Sequence, residues 1–493
     1  MPTIEIAFVP EEIFVTHVSV LLRRCRLALV VVAASTVIVP ATFAQTALPA
    51  AAPARPARLD FQTTTLPNGL KVVTLEDHRA PVVTVQVWYR VGSKDEAQGK
   101  AGFAHLFEHL MFKGSKNLGP EEHSRLVEQI GGAYNADTFF DRTRYYQTVP
   151  SNALDRMLFL EAERMADLRV DEKNLKSERD VVKEEHRTGV DNAPYGKLFE
   201  NVLALLFPKA HPYAHSTIGL MADLDSAKLA EVRAFHAEYY KPDNATLVLV
   251  GDFKTDHALA NIRRTFGAIP KSKDADFTRY PAPASSQTTE KREVWYDKLA
   301  PLPAVGMAFR LTAPADPDTP VFTVMSQILS AGQSSRLYRS LVRDKQLAVE
   351  AQGGQLSLQL GGIFFFFAIA NAGKAPAEVE KALLEQVELL RTQPVSEAEL
   401  AKAKNQALTA YVFGTLSTEQ KANALGEADL LYGNPDEANQ AFDKLSRVTA
   451  ADVQRVAQKY FAPEVRSVFH LLPEGMKPKA NAATAAPGKE EAK

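Results

Sequence analysis

One supersecondary unit occurs twice along the chain. Val232-Arg233-Ala234 leads to Tyr239-Tyr240-Lys241-Pro242 and a strand-like run at 246–251; Val453-Gln454-Arg455 leads to Tyr460-Phe461-Ala462-Pro463 and a similar run at 467–472. The spacing is the same in both copies, the mark of a duplicated helix–proline–strand unit. A chain of 493 residues built this way folds as two related halves, each large enough for its own core. A polar, Pro-containing stretch at 271–291 separates them. A fainter repeat sets 105–114 against 323–332, with Thr323, Ser326 and Gln327 standing where the first half has His105, Glu108 and His109. Whatever those three residues do is therefore expected once per chain.

Within each half, strands and helices follow one another without a steady βαβ rhythm. Asn68-Gly69 between β-type runs signals a tight hairpin. The segment 82–91 alternates as a half-buried strand, and 135–149 reads as one further strand with a polar beginning. Residues 363–369 hold four consecutive phenylalanines between glycines and read as a buried strand. Ser396 with Glu399, and Thr449 with Asp452, are capping boxes that open helices. The class expected is α+β, with antiparallel sheets each covered by helices on one side.

The net charge is -2 and the body of the chain has no long basic stretch, so nothing recruits nucleic acid through its phosphates. The single cysteine, Cys25, lies in an N-terminal leader. Arg23, Arg24 and Arg26 precede an apolar run at 27–39, and Ala41-Thr42-Phe43-Ala44 suits cleavage after Ala44, as in an export signal. The alternative is a membrane anchor kept through 27–44, which Pro40 and the short run disfavour. Residues 1–20 are unusual ahead of a basic segment, and translation starting further in would explain them. With the leader removed, disulfides, thiol nucleophiles and cysteine-held zinc are all excluded. The expected layout is a signal peptide at 1–44, a flexible segment at 45–58, a metal-bearing domain at 59–270, a linker at 271–291, a second domain at 292–473 and a disordered tail at 474–493.

The metal expectation comes from His105-Leu106-Phe107-Glu108-His109. On a helix, the two histidines lie one turn apart on one face, with Glu108 beside them. Two imidazoles and a carboxylate so placed can hold a divalent ion and keep a base next to it. Catalytic zinc takes three protein ligands, so a third is needed. Without cysteine it is a carboxylate or another histidine. The best source is 178–185, where Glu178 and Glu185 share a helical face: Glu185 can be the ligand and Glu178 can orient an imidazole from behind. Taken alone, a helix so rich in carboxylates reads as readily as a solvated face. His211 and His215 are also four apart, but Pro212 bars a regular helix across them, and they read as a structural loop. His186 falls off the Glu178/Glu185 face and reads as solvated.

The run 102–114 resembles the active-site helix of the pitrilysin/insulinase family of zinc peptidases, the inverzincins, and is most similar to the processing-peptidase branch. Pro67-Asn68-Gly69-Leu70, 131–138, His211-Pro212-Tyr213 and 240–244 resemble further landmarks of the family in the same order, and the likeness spans 59–472. It implies two homologous domains facing each other across a chamber, and one Zn2+ per chain held by His105, His109 and Glu185, with Glu178 behind them. It also implies that Glu108 is the general base, taking a proton from the attacking water and passing it to the leaving amine. Asn135 falls on the strand along which a peptide or unfolded segment adds as an extra strand. Arg343 matches a second-domain arginine that reaches the substrate, but its usual tyrosine partner is missing near Val349-Glu350. The resemblance therefore implies an endopeptidase working as a homodimer or beside a metal-free homologous subunit, and the leader implies that it is exported, to the periplasm in a bacterium. Two other readings are a non-catalytic assembly subunit and a metal hydrolase acting on non-peptide esters or amides.

Overall fold

The computed structural model describes residues 54–272 and 287–478. The expected leader lies outside the described residues, as do parts of the expected entry segment, linker and tail. Eleven strands form two sheets among the described residues. The first half contributes β1 (Gln62–Thr65), β2 (Lys71–Glu76), β3 (Val82–Tyr89), β4 (Ala133–Thr138), β5 (Thr143–Pro150) and β6 (Ala245–Gly251). The second contributes β7 (Lys291–Asp297), β8 (Ala304–Arg310), β9 (Ala348–Leu356), β10 (Ile363–Ala370) and β11 (Ser467–Pro473). Five helices bear on the site: α1 (Phe103–Leu110), α2 (Glu172–His186), α3 (Leu198–Leu206), α4 (Thr319–Ser330) and α5 (Thr418–Tyr432).

The duplication is visible in the strand order. Sheet one runs β1-β2-β6-β3-β5-β4 and sheet two runs β7-β11-β8-β10-β9. Leaving out β1, the two orders superimpose, and α1 and α4 both follow the third strand of the shared pattern. The fold is α+β with two homologous halves. One expectation needs correction: the sheets are mixed. β2 pairs with β6, and β7 with β11, in parallel. The remaining pairs are antiparallel. Strands far apart in sequence meet in parallel without a hairpin, so no local turn signal announces them.

Other local readings fare unevenly. β1 and β2 are joined by the hairpin at Asn68-Gly69, where Gly69 takes a φ of 91°. The segment 135–149 is two strands, β4 and β5, paired antiparallel across a short turn. Thr449 and Asp452 cap each other reciprocally. Ser396 accepts the Glu399 amide, but the Glu399 carboxylate is bound by Arg336 at 2.7 and 2.8 Å and does not return to the cap. In β10 the phenylalanines alternate, Phe364 and Phe366 entering the second-half core while Phe365 and Phe367 face the other half. A strand buried on both faces reads as a continuous apolar run.

β3 is likewise buried on both faces rather than one. Val83, Val85 and Val87 enter the core beneath α1. Trp88 meets α5, a helix of the other half. Thr84 pairs with Thr418 at 2.8 Å and Gln86 with Asn423 at 2.7 Å. Asp429, fully buried, is ion-paired with Lys71 and Arg90 and accepts from the Thr246 hydroxyl at 2.6 Å. Reciprocally, α3 of the first half packs Leu198, Val202 and Leu203 against Ala308, Phe367 and Phe469 of sheet two. Each half thus covers the open face of the other's sheet with one helix. Arg55 and Arg58, in the segment expected to be flexible, reach Asp443 and Asp436 of the second half at 2.8 and 2.6 Å. Among the described residues no helix is long and apolar enough to cross a membrane.

Candidate functional site

α1 is eight residues long and mostly buried because Leu106, Phe107 and Leu110 pack into the first core. Phe107 stacks on Phe235 and His236 on the side away from the histidines. That anchoring leaves the opposite face, carrying His105 and His109, turned towards α2. The two Nε2 atoms lie 3.4 Å apart. Glu185, in the last turn of α2, brings Oε2 to 3.4 Å from His109 Nε2 and 3.7 Å from His105 Nε2. These three residues form the group among the described residues whose ligand atoms all lie within 4.8 Å of one another. Ligands held at about 2.0–2.1 Å around a tetrahedral ion stand roughly 3.3–3.4 Å apart; two sides of the triangle match that spacing and the third, His105 to Glu185, is longer at 3.7 Å.

The charge states of His105 and Glu185 suit a cation. Burial, reinforced by the neighbouring His109, lowers the pKa of His105 to about 3, so its imidazole is neutral, the form that ligates. Burial also pushes His109 down, but the hydrogen bond and charge of Glu185, with Glu108 and Glu178, more than offset it and leave it raised. For Glu185, burial acts upward, while bonding to His109 and the charge of that imidazole leave it lowered. Glu178 is buried, with Oε2 3.8 Å from His109 Nδ1 and Oε1 3.2 Å from Lys113 Nζ. It therefore sits behind the ring, opposite the nitrogen that faces Glu185.

Glu108 belongs to neither carboxylate position. Its side chain turns towards β4, with Thr138 and Asp137 close by, and the Thr138 hydroxyl itself donates to the Ala104 carbonyl at 3.5 Å. Burial lifts its pKa to about 7, against the lowering pull of His109. A carboxyl group poised near neutrality beside a cation site can both accept and return a proton. β4 ends the sheet, so one of its edges is unpaired. Asn135 lies in the middle of it, opposite Tyr146 of β5, with its Oδ1 accepting the Ala136 amide at 2.9 Å.

The other sequence candidates fall elsewhere. Arg343 is exposed in a π-helical turn and binds Asp344, its neighbour in sequence, at 2.6 Å rather than any residue above. His211 accepts the Tyr213 amide at 3.0 Å and faces Arg310 at 3.2 Å, whereas His215 bonds the Ser216 carbonyl at 3.1 Å. His186 is buried, not solvated: α2 gives way there to a π-helical turn that brings Asp191 to 3.2 Å. Sequence reasoning missed three residues that hold α1. Tyr145 donates to the Phe107 carbonyl at 2.9 Å, Thr138 to the Ala104 carbonyl at 3.5 Å, and Glu96 accepts two amides at the helix start. None of the three shows a local pattern, because each reaches α1 from outside its own segment.

A family model described as Insulinase (Peptidase family M16) matches residues 71–219, and one described as Peptidase M16 inactive domain matches 226–407. The zinc protease PqqE of Helicobacter pylori is 31% identical over 419 residues, covering 84% of this chain and 93% of that protein. A crystal structure of a protease from Helicobacter pylori superimposes with a TM-score of 0.79 at 30% identity, covering 84% of this chain and 99% of that one. A probable mitochondrial-processing peptidase subunit beta of Arabidopsis thaliana is 26% identical, with 81% of this chain and 76% of that protein covered.

Proposed function

Since the chain belongs to the insulinase (M16) family of peptidases, we propose that it is a zinc-dependent endopeptidase that cleaves peptides or unfolded segments. The observation that carries this reading is the triangle of His105, His109 and Glu185, with Glu108 buried next to it but outside it. Two imidazole nitrogens and a carboxylate oxygen are a donor set that zinc accepts, and relatives named as zinc proteases point to the same metal. When bound, zinc lowers the pKa of a coordinated water towards neutrality and polarises the scissile carbonyl. Glu108 takes the proton from the attacking water and delivers it to the departing amine nitrogen. Glu178 fixes the His109 ring through its far nitrogen, and the free edge of β4 around Asn135 aligns the substrate backbone as an added strand.

On this reading 59–270 is the metal-bearing domain and 292–473 its metal-free counterpart, where the helix matching α1 carries Thr323, Ser326 and Gln327. The leader read at 1–44 makes the protein an exported one, in the periplasm of a bacterium. The missing tyrosine near Val349, and an Arg343 that faces solvent, suggest that a second copy or a homologous subunit completes the substrate side. The alternative reading, a non-catalytic subunit, is the less favoured one: the inactive-domain description falls on 226–407, the half without the His105/Glu108/His109 set, while the peptidase model matches 71–219. Purification of the mature protein with its partners, followed by metal analysis and cleavage of a quenched peptide with and without chelator, separates the two. One zinc per chain with chelator-sensitive cleavage is expected; a metal-free, inactive complex would favour the subunit reading.

A further inference from the structure

We propose that Glu96 is a positioning residue for the hydrolytic site, its carboxyl group holding the first turn of α1. The assignment rests on the peptidase reading for its effect on turnover, but the contacts stand by themselves. The first amides of any helix lack partners within the helix and are normally met by a Ser, Thr, Asp or Asn side chain just before it. α1 cannot use that device. Its cap position is Gly102, with a φ of 99° and no side chain to bond the amides. A β-carbon there would stand 2.9 Å from the Ile218 carbonyl oxygen, so a capping side chain has no room.

Glu96 supplies the cap from outside. Its Oε2 accepts the Gly102 amide and its Oε1 the Ala104 amide, both at 2.8 Å. The side chain is fully buried, so water cannot replace it; burial, with Asp95 and Asp223 nearby, raises its pKa well above the usual carboxylate range against the pull of the two amides, so the hold on the helix rests on the paired oxygens and not on charge. Asp223 holds the preceding amide, that of Ala101, at 3.0 Å. His105 is the residue directly after Ala104. The later part of the helix has its own anchor in the bond from Tyr145 to Phe107. Loosening the start therefore displaces His105 relative to His109 and Glu185 and leaves the β4 edge, where substrate aligns, in place. Misplacing a ligand or reacting group by about 1 Å costs roughly 100-fold in rate.

The test is Glu96→Gln in the mature full-length chain, which keeps the size of the side chain but has only one oxygen to accept two amides. The expected result is a kcat about 10- to 100-fold lower per zinc-loaded chain, zinc affinity weakened by a similar factor, and unchanged KM. Hydrogen exchange at Gly102 and Ala104 should accelerate while the β4 amides stay protected. Glu96→Asp, which keeps both carboxyl oxygens but is one methylene shorter, should fall between wild type and Gln. Wild-type kcat, zinc affinity and amide protection in Glu96→Gln would overturn the proposal. So would a loss of activity that merely follows the folded fraction, or the unfolding of both variants, which would make the role purely structural. If the wild-type chain itself neither holds zinc nor cleaves peptides, the peptidase reading fails, and exchange at Gly102 and Ala104 alone decides whether Glu96 fixes the helix.

Discussion

Gly426 offers a sharp test of the way the halves are joined. It lies in the interior of α5, where replacing glycine by alanine ordinarily stabilises a helix by about 0.8–1.0 kcal/mol. Here the expected sign is reversed. A β-carbon on Gly426 would stand 2.7 Å from Cζ2 of Trp88 and closer still to two other indole atoms. Carbon atoms in good contact are about 3.5–4.0 Å apart, so something must move by roughly 1 Å. The indole cannot yield cheaply. It is buried, its Nε1 donates to Gln86 at 2.9 Å, and the guanidiniums of Arg142 and Arg144 lie 5.2 and 5.0 Å from its ring centre. Moving α5 instead would stretch the contacts of Asn423 and Asp429. Overpacking of this kind costs about 1–3 kcal/mol, so Gly426→Ala should come out neutral to about 2 kcal/mol less stable once the helix gain is subtracted. In a Trp88→Leu background the clash is gone and the same substitution should stabilise, giving a coupling of at least about 1 kcal/mol in a double-mutant cycle. Urea unfolding followed by far-ultraviolet circular dichroism, a signal that does not depend on Trp88, reads this. Stabilisation of the wild-type background by Gly426→Ala would refute the docking described.

Three further outcomes follow from particular contacts. Glu178→Gln should weaken zinc binding by about 10- to 100-fold, as losses behind a ligand do, and Glu185→Gln by more, because it removes a ligand charge; competitive zinc titration ranks them. His236 is buried beside Lys241, which lowers its pKa to about 3. A depressed folded value means its contribution to stability is present above the unfolded pKa of about 6.5 and is lost progressively as pH falls towards about 3. The stability of His236→Gln relative to wild type should therefore rise over that window in urea midpoints taken pH by pH, and a constant difference would count against the burial described. Asp429→Ala strands Lys71 and Arg90 at the interface, so it should lower the urea midpoint far more than Arg79→Ala, whose side chain is 65% exposed and bound to Asp77. Equal effects would mean that Asp429 does not latch the halves.

What could be read from sequence was what local spacing encodes. A helical turn separates His105 from His109, and two turns separate Glu178 from Glu185, so both faces were legible before any tertiary contact was known. The Asn68-Gly69 turn and the phenylalanine run of β10 were legible for the same reason. The misses share a cause. β3 reads as half-buried because nothing near it says that α5, more than 300 residues away, covers its second face. The parallel pairs β2·β6 and β7·β11 join strands with no turn between them. The run 135–149 was read as one strand because its turn, 139–142, carries no glycine or proline. Glu96 was missed because a cap six residues upstream of its helix matches no capping box, and His186 because the helix changes pitch just after it.

The proposed function divides the labour among the acidic groups near α1: Glu185 would hold the metal, and Glu108 would move the proton. The direct measurement is zinc content and peptide hydrolysis of Glu108→Gln beside wild type. One zinc per chain in both, with hydrolysis lower by about 10²- to 10⁴-fold in the variant, is the result predicted. A variant that loses its zinc, or that keeps its hydrolytic rate, would contradict the assignment.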